Sequence, residues 1–108
     1  MKTIEEIKNI KKFISNNNLT LLYFSSPDCS VCKDLLLKIK NLLQTYDEIS
    51  SAYINIKKVK KVGSEFSIFS MPTILFFIDG KETLRKSRYV SLDNFKKELD
   101  RYLNLYKK

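Results

Sequence analysis

The chain has no histidine and no tryptophan, and only two glycines, two prolines and two cysteines among its 108 residues. Without histidine, every mechanism that needs an imidazole base and every histidine-ligated metal site is excluded. So few glycines and prolines rule out collagen-like, linker-rich and many-turned sandwich architectures. The longest uninterrupted apolar run is Ile74-Leu75-Phe76-Phe77-Ile78, far short of the ~20 residues a membrane-spanning helix needs. The start, Met1-Lys2-Thr3-Ile4-Glu5-Glu6, turns acidic where a secretory signal would turn apolar, so a cytoplasmic location and no membrane partner are expected. What is present is ordinary for a globular chain. Hydrophobic residues make up 44%, and the length suits a single domain over residues 1–108.

The charge is lopsided, with 20 basic against 12 acidic residues and a net charge of +8. A strongly basic chain attracts nucleic acid, anionic membranes or acidic proteins. All but three of the basic residues are lysine, however, and Lys, Ile and Asn together supply a third of the chain. That bias matches AT-rich codons, whereas a nucleic-acid reader favours arginine for bidentate contacts. No nucleic-acid partner is therefore expected. One cluster, Lys57-Lys58-Val59-Lys60-Lys61, is dense enough to read either as a solvated helix start or as a surface that steers acidic partners.

Periodicity orders the rest. Apolar residues at Ile4, Ile7, Ile10, Phe13 and Ile14 predict an amphipathic helix, with Thr3 and Glu6 as a capping box. Leu19–Phe24 is a nearly continuous apolar strand of the kind covered on both faces. A second helix is predicted from Ser30 to Tyr46, with Val31, Leu35, Leu36, Ile39, Leu42 and Leu43 inward. Ala52–Ile56 reads as a strand, and a short helix follows over Val59–Phe66. Thr73–Ile78 is the strongest strand pattern. Asp79-Gly80 marks a hairpin turn into a returning strand near Glu82–Arg88. A final helix starts at a Ser91 cap and turns Leu92, Phe95, Leu99, Tyr102, Leu103 and Tyr106 inward. Early strand–helix–strand units favour a parallel right-handed crossover. The expectation is an α/β fold with a four-stranded mixed sheet and helices on both faces.

The two cysteines form Cys29-Ser30-Val31-Cys32 between the buried strand and the long helix. A helix N-terminus offers free N–H groups and a positive dipole end, which favour a thiolate, the reactive form of cysteine. Spacing of three on a first helical turn keeps the two sulfurs within bonding reach. Cys29 at the mouth is expected to be the exposed nucleophile, and Cys32, one turn in, to resolve a mixed disulfide. A lone Cys-x-x-Cys also reads as half of a zinc site, which would need a second chain to supply the other two ligands. It also reads as two incidental core cysteines. Forty residues on, Met71-Pro72-Thr73 precedes the strongest strand. A proline there must stand at the strand's start, because it has no N–H for the ladder.

Taken together, Cys29-Ser30-Val31-Cys32 after a buried strand, Met71-Pro72-Thr73 before a second, Asp79-Gly80 and a closing helix resemble the thioredoxin family, over almost the whole chain. The resemblance implies a thioredoxin fold, dithiol–disulfide exchange on protein disulfides and a cis-proline loop facing the cysteines. By resemblance Cys29 is the attacking cysteine and Cys32 the resolving one. Pro72 is the cis-proline, and Met71 supplies backbone to a bound substrate strand. No flavin or nicotinamide fingerprint is present, so no cofactor is expected, and a thioredoxin reductase-like protein or a small thiol must supply electrons to a monomer.

The chain departs from the family in three places. The usual Trp-Cys-Gly-Pro-Cys-Lys is here Asp28-Cys29-Ser30-Val31-Cys32-Lys33, which matches at the cysteines and Lys33. The family's buried Asp and its partner Lys fall at Tyr23 and Tyr53, and tyrosine is a poor base at neutral pH. Asp28 opposes a thiolate at Cys29, while Lys33 and the helix dipole favour it. An alternative is a thioredoxin-like protein-binding module with little redox turnover.

Overall fold

The computed structural model describes all residues from Met1 to Lys108. Its elements are β1 (Lys2–Thr3), α1 (Ile7–Asn16), β2 (Leu19–Ser25), α2 (Ser30–Leu43), β3 (Ser50–Asn55), α3 (Val62–Glu65), β4 (Thr73–Ile78), β5 (Lys81–Ser87) and α4 (Leu92–Tyr106). The strands form one sheet in the order β1-β3-β2-β4-β5. β2 lies parallel to β3, with Leu22 opposite Ala52, and antiparallel to β4, with Leu22 opposite Leu75.

β2 is at the centre and all seven of its residues are buried, which is why its sequence is a run rather than an alternation. Its side chains alternate between two cores. Leu19, Leu21 and Tyr23 join Leu35 and Ile39 of α2 and Phe95, Leu99 and Leu103 of α4. Leu22 and Phe24 join Ile10 and Ile14 of α1 and Val62 of α3 on the opposite face. The layers are therefore α2 and α4 on one side and α1 and α3 on the other, as expected.

The sheet has five strands, not four. The added one is β1, paired in parallel with Ala52 and Tyr53 of β3 and continued by the Ile4 N–H, which donates to the Tyr53 carbonyl at 3.1 Å. Thr3 is thus a strand residue and forms no capping box. α1 begins after Glu6, whose side chain makes no cap bond. Two residues are too few to show a period, so the strand hid inside the helical pattern. Ile4 is still buried, but ahead of the helix. Two other side chains expected inward face solvent. Val31 is 62% exposed at the first turn of α2, where no element covers it, and Tyr106 is 38% exposed at the end of α4. α2 also stops at Leu43, short of Tyr46, and α3 shrinks to one turn.

The hairpin is as expected. Asp79 and Gly80 both have positive φ (50° and 82°), the conformation that a two-residue turn between twisted strands needs and that these residues tolerate best. The β4–β5 ladder slips between Phe76 and Phe77, where Leu84 is followed as partner by Glu82 and Thr83 bulges. The side chain of Arg85 on β5 fastens the segment that leads into β4. Its guanidinium donates to the carbonyls of Phe66 and Ser67, each at 2.8 Å, and pairs with Glu82 through two further 2.8 Å bonds. Ser67 has a positive φ of 54°, so a cation at its carbonyl holds a bend the backbone does not favour by itself.

Candidate active site

β2 ends at Ser25, and the chain turns through Ser26, Pro27 and Asp28 before α2 begins. The Cys29 N–H donates to the Ser26 carbonyl at 3.2 Å and closes that turn. Cys29 is the N-cap of α2, and its sulfur accepts from the Cys32 N–H at 3.2 Å. The sulfur therefore occupies the place where a helix N-terminus stabilises an anion. Cys29 and Cys32 are joined as a disulfide, with S–S 2.10 Å and Cα atoms 5.2 Å apart. The two differ in access. Cys32 is 1% exposed, and Cys29 is partly open at the mouth.

The Met71–Pro72 peptide bond is cis, as the resemblance implied. Pro72 stands immediately before β4, where no ladder N–H is needed. The Thr73 hydroxyl donates back to the Ser70 carbonyl at 2.7 Å, and the Arg88 N–H donates to the Pro72 carbonyl at 2.9 Å. This loop faces the cysteines. Cys29, Met71 and Pro72 line one groove of about 270 Å³, together with Val31, Arg88 and Tyr89. The groove forms because β2 and β4 are antiparallel neighbours, with Phe24 opposite Thr73. The exit of one strand therefore lies beside the entry of the other.

Tyr23 lies beneath the cysteines. It is fully buried, and its ring stacks on Tyr53 of β3 with centroids 6.3 Å apart. Its hydroxyl donates to the Cys32 carbonyl at 2.5 Å. Burial, with a smaller contribution from Tyr53, pushes the Tyr23 phenol well above its ordinary value near 10. Tyr23 is therefore a neutral hydrogen-bond donor that holds the first turn of α2 to the sheet. The sequence marked Tyr23 only as a missing base. This bond joins residues nine apart, which no periodic pattern encodes.

Stability should follow that phenol. Its folded-state pKa lies above the unfolded one, so its contribution is complete below about pH 10 and is lost as pH rises towards the folded value. Wild-type stability is expected to fall above pH 10 more steeply than that of Tyr23→Phe, by about 1.4 kcal/mol per pH unit for the one proton involved. At neutral pH Tyr23→Phe should cost about 1 kcal/mol for the lost bond. Urea unfolding of both proteins from pH 7 to 11 tests this, and parallel alkaline slopes would remove Tyr23 as a buried anchor.

The charged neighbours are arranged asymmetrically. Asp28, just before Cys29, is paired with Lys57 from beyond the end of β3. The parallel register sets this contact, because Ser25 pairs with Asn55 and both chains leave the sheet at the same edge. The start of the lysine run therefore lies on the cysteine side. Lys58 pairs with Glu5 at 3.5 Å instead, and Lys60 and Lys61 are exposed. Lys33 is exposed on the first turn of α2. No three His, Cys, Asp or Glu side chains come together in a group that could hold a metal ion. Arg88 and Tyr89 carry no sequence signal of a site. They follow a strand and precede a cap with no motif of their own, and only the folded geometry brings them to the disulfide.

Comparison with known proteins agrees with this geometry. The chain is 33% identical over 106 residues to the thioredoxin-like protein YdfQ of Bacillus subtilis, which covers 98% of this chain and 95% of that one. It is 24% identical to a thioredoxin of Mycoplasmoides gallisepticum, over 92% of this chain and 99% of that protein. Among solved structures, a thioredoxin of Plasmodium falciparum superposes with a TM-score of 0.85 at 20% identity, covering 94% of this chain and 99% of that one. Fasciola hepatica thioredoxin does so at 0.84 and 23% identity, with 94% and 98% covered. Those two establish the fold. The family model described as Thioredoxin matches residues 2–103, nearly the whole length, and with a relative one-third identical from end to end it follows that the chain belongs to the thioredoxin family.

Proposed function

We propose that the protein is a thiol–disulfide oxidoreductase acting on protein disulfides. In the reduced protein, the Cys29 thiolate attacks one sulfur of a substrate disulfide. An S–S bond forms between Cys29 and the substrate, and the second substrate sulfur leaves as a thiolate. Cys32 then gives up its proton, which the released substrate thiolate takes up through water, and attacks Cys29. The Cys29–Cys32 bond forms and the first substrate sulfur leaves, so the substrate gains two electrons and the cysteine pair loses them. An external protein or small thiol returns the pair to the dithiol. Met71 and Pro72 hold the substrate backbone beside Cys29. Asp28 and Lys33 tune the thiolate from either side, with Lys57 offsetting Asp28. The single observation carrying this reading is the unequal access of a bonded pair, with Cys29 open to the Met71–Pro72 groove and Cys32 closed off beneath it.

A reducing compartment suits a lone reactive pair. We accordingly favour a cytoplasmic, single-domain monomer. No helix is long and apolar enough to cross a membrane. The deciding measurement is the equilibrium potential of the Cys29–Cys32 couple in graded thiol/disulfide buffers. A value near ~−270 mV places the protein with reductants, and one between about −180 and −120 mV with isomerases or oxidants. If no intramolecular disulfide forms at any poise, the protein is a binding module. Replacement of the acid/base pair by Tyr23 and Tyr53 is the observation on that side.

A further inference from the structure

The groove beside Cys29 does not end there. Val31, Arg88 and Tyr89 also line a second groove of about 460 Å³. That groove continues between α2 and the segment that links β5 to α4, past Asp34 and Leu35 to Lys38. The two form one channel leading away from the disulfide. Its wall is unusual in three ways. Tyr89 is 96% exposed and Val31 62%, so an aromatic ring and a branched aliphatic side chain stand uncovered next to the reactive pair. Arg88 has a positive φ of 62°, a conformation that glycine adopts at no steric cost and arginine does not. Its backbone is held there by its N–H bond to the Pro72 carbonyl, so the proline loop and the channel wall are one unit. Neither Arg88 nor Lys38 is in any of the ion pairs of the fold. Asp34 is the one carboxylate in the wall.

We infer that this channel is a docking subsite for an acidic, extended segment of the disulfide-bearing protein, with Tyr89 and Val31 packing on its backbone and Arg88 and Lys38 pairing with its carboxylates. The inference rests on the oxidoreductase reading for the source of the segment. The chemistry follows from the wall. An exposed aromatic gains most by covering a peptide plane, and the guanidinium fork fits a carboxylate with two bonds. Helix rise sets the spacing. From Val31 to Lys38 is about 10 Å along α2, which an extended chain spans in about three residues. Carboxylates three to four residues from the substrate cysteine therefore reach Lys38, while Arg88, which lines both grooves, stands where the two join.

The test uses binding without redox chemistry. The oxidised full-length protein is titrated with two peptides while its amide resonances are followed. Each peptide has serine in place of the reacting cysteine. One has glutamates three and four residues to either side, and the other has lysines at the same places. The glutamate peptide should bind at least about fivefold more tightly, ~1 kcal/mol, with saturable shifts at Val31, Arg88 and Tyr89. Arg88→Gly, which suits the left-handed backbone, should shrink that preference to within about twofold, and Tyr89→Ser should weaken both peptides alike. Equal affinity for the two peptides overturns the inference. So do shifts centred on Lys57–Lys61, or a preference that survives Arg88→Gly, since the +8 net charge would then account for the binding. A separate reaction of the reduced wild-type protein with the neutral 2-hydroxyethyl disulfide tests the oxidoreductase reading alone, so the two failures are distinguishable.

Discussion

Replacing Cys29 with serine is expected to bring reduction of a protein disulfide down to the rate of the buffer alone. A serine hydroxyl stays protonated at neutral pH, whereas thiol–disulfide exchange requires a thiolate nucleophile. Cys32 offers no substitute, because at 1% exposure it cannot reach an incoming disulfide. Cys32→Ser should behave differently. Cys29 still attacks, but nothing beneath it expels the substrate, so a one-to-one mixed disulfide accumulates and persists until an external thiol is added. Mass spectrometry of the quenched reaction reads both outcomes. Appreciable turnover by Cys29→Ser would mean that the chemistry runs through Cys32 or elsewhere. Rapid multiple turnover by Cys32→Ser would deny it the resolving role. If a partner protein binds Cys29→Ser as tightly as wild type and wild type shows no exchange, the binding-module alternative stands.

The largest effect on stability is expected from Phe24→Ala. Phe24 is fully buried near the C-terminal end of β2, and its ring lies against Phe66, with centroids 5.8 Å apart. Phe66 ends α3 and opens the segment that leads to Met71. The ring thus joins the strand that delivers the cysteines to the segment that delivers the proline. Truncating a fully buried phenylalanine costs about 3–5 kcal/mol, a large part of the ~5–15 kcal/mol that holds a domain together. For a domain near this size each kcal/mol moves the midpoint by ~4–8 °C, so a fall of roughly 12–40 °C is expected in thermal unfolding. Phe69→Ala is the control. At 88% exposed, Phe69 has little to lose, and its removal should stay within about 0.5 kcal/mol. Equal effects at the two positions would refute this account of the core.

The features legible from sequence share a property, which is that each is encoded within a few neighbouring residues. The run Leu19–Phe24 announced a strand covered on both faces. Asp79-Gly80 announced its turn through the φ values those residues permit. Ser91 announced a helix start, and its hydroxyl does accept from the Asn94 N–H, at 3.4 Å. The cysteine motif between strand and helix placed Cys29 at the N-cap. What escaped depends on what lies opposite a residue in space. Periodicity sorts side chains by type, so it points Val31 inward although that side of the first turn of α2 is left uncovered, unlike the side that carries Cys32. β1 is too short to carry a pattern, and its pairing belongs to β3, some fifty residues on. The bond from Tyr23 to the Cys32 carbonyl and the Arg88–Pro72 tie join separate segments through single contacts. Each is plain only once the sheet order is known.

The margins of the sheet have a consequence for life at high concentration. An uncovered strand edge is a template for another chain, and this sheet has two. One is β1, only two residues long and carrying Lys2. The other is β5, interrupted by its bulge and studded with Lys81, Glu82, Arg85 and Lys86. The most apolar strands, β2 and β4, are enclosed between them. Segments of that composition would stack into fibrils if laid bare. The short charged border keeps them from meeting their like, so crowded molecules of this protein should stay apart for as long as β1 and β5 remain in place.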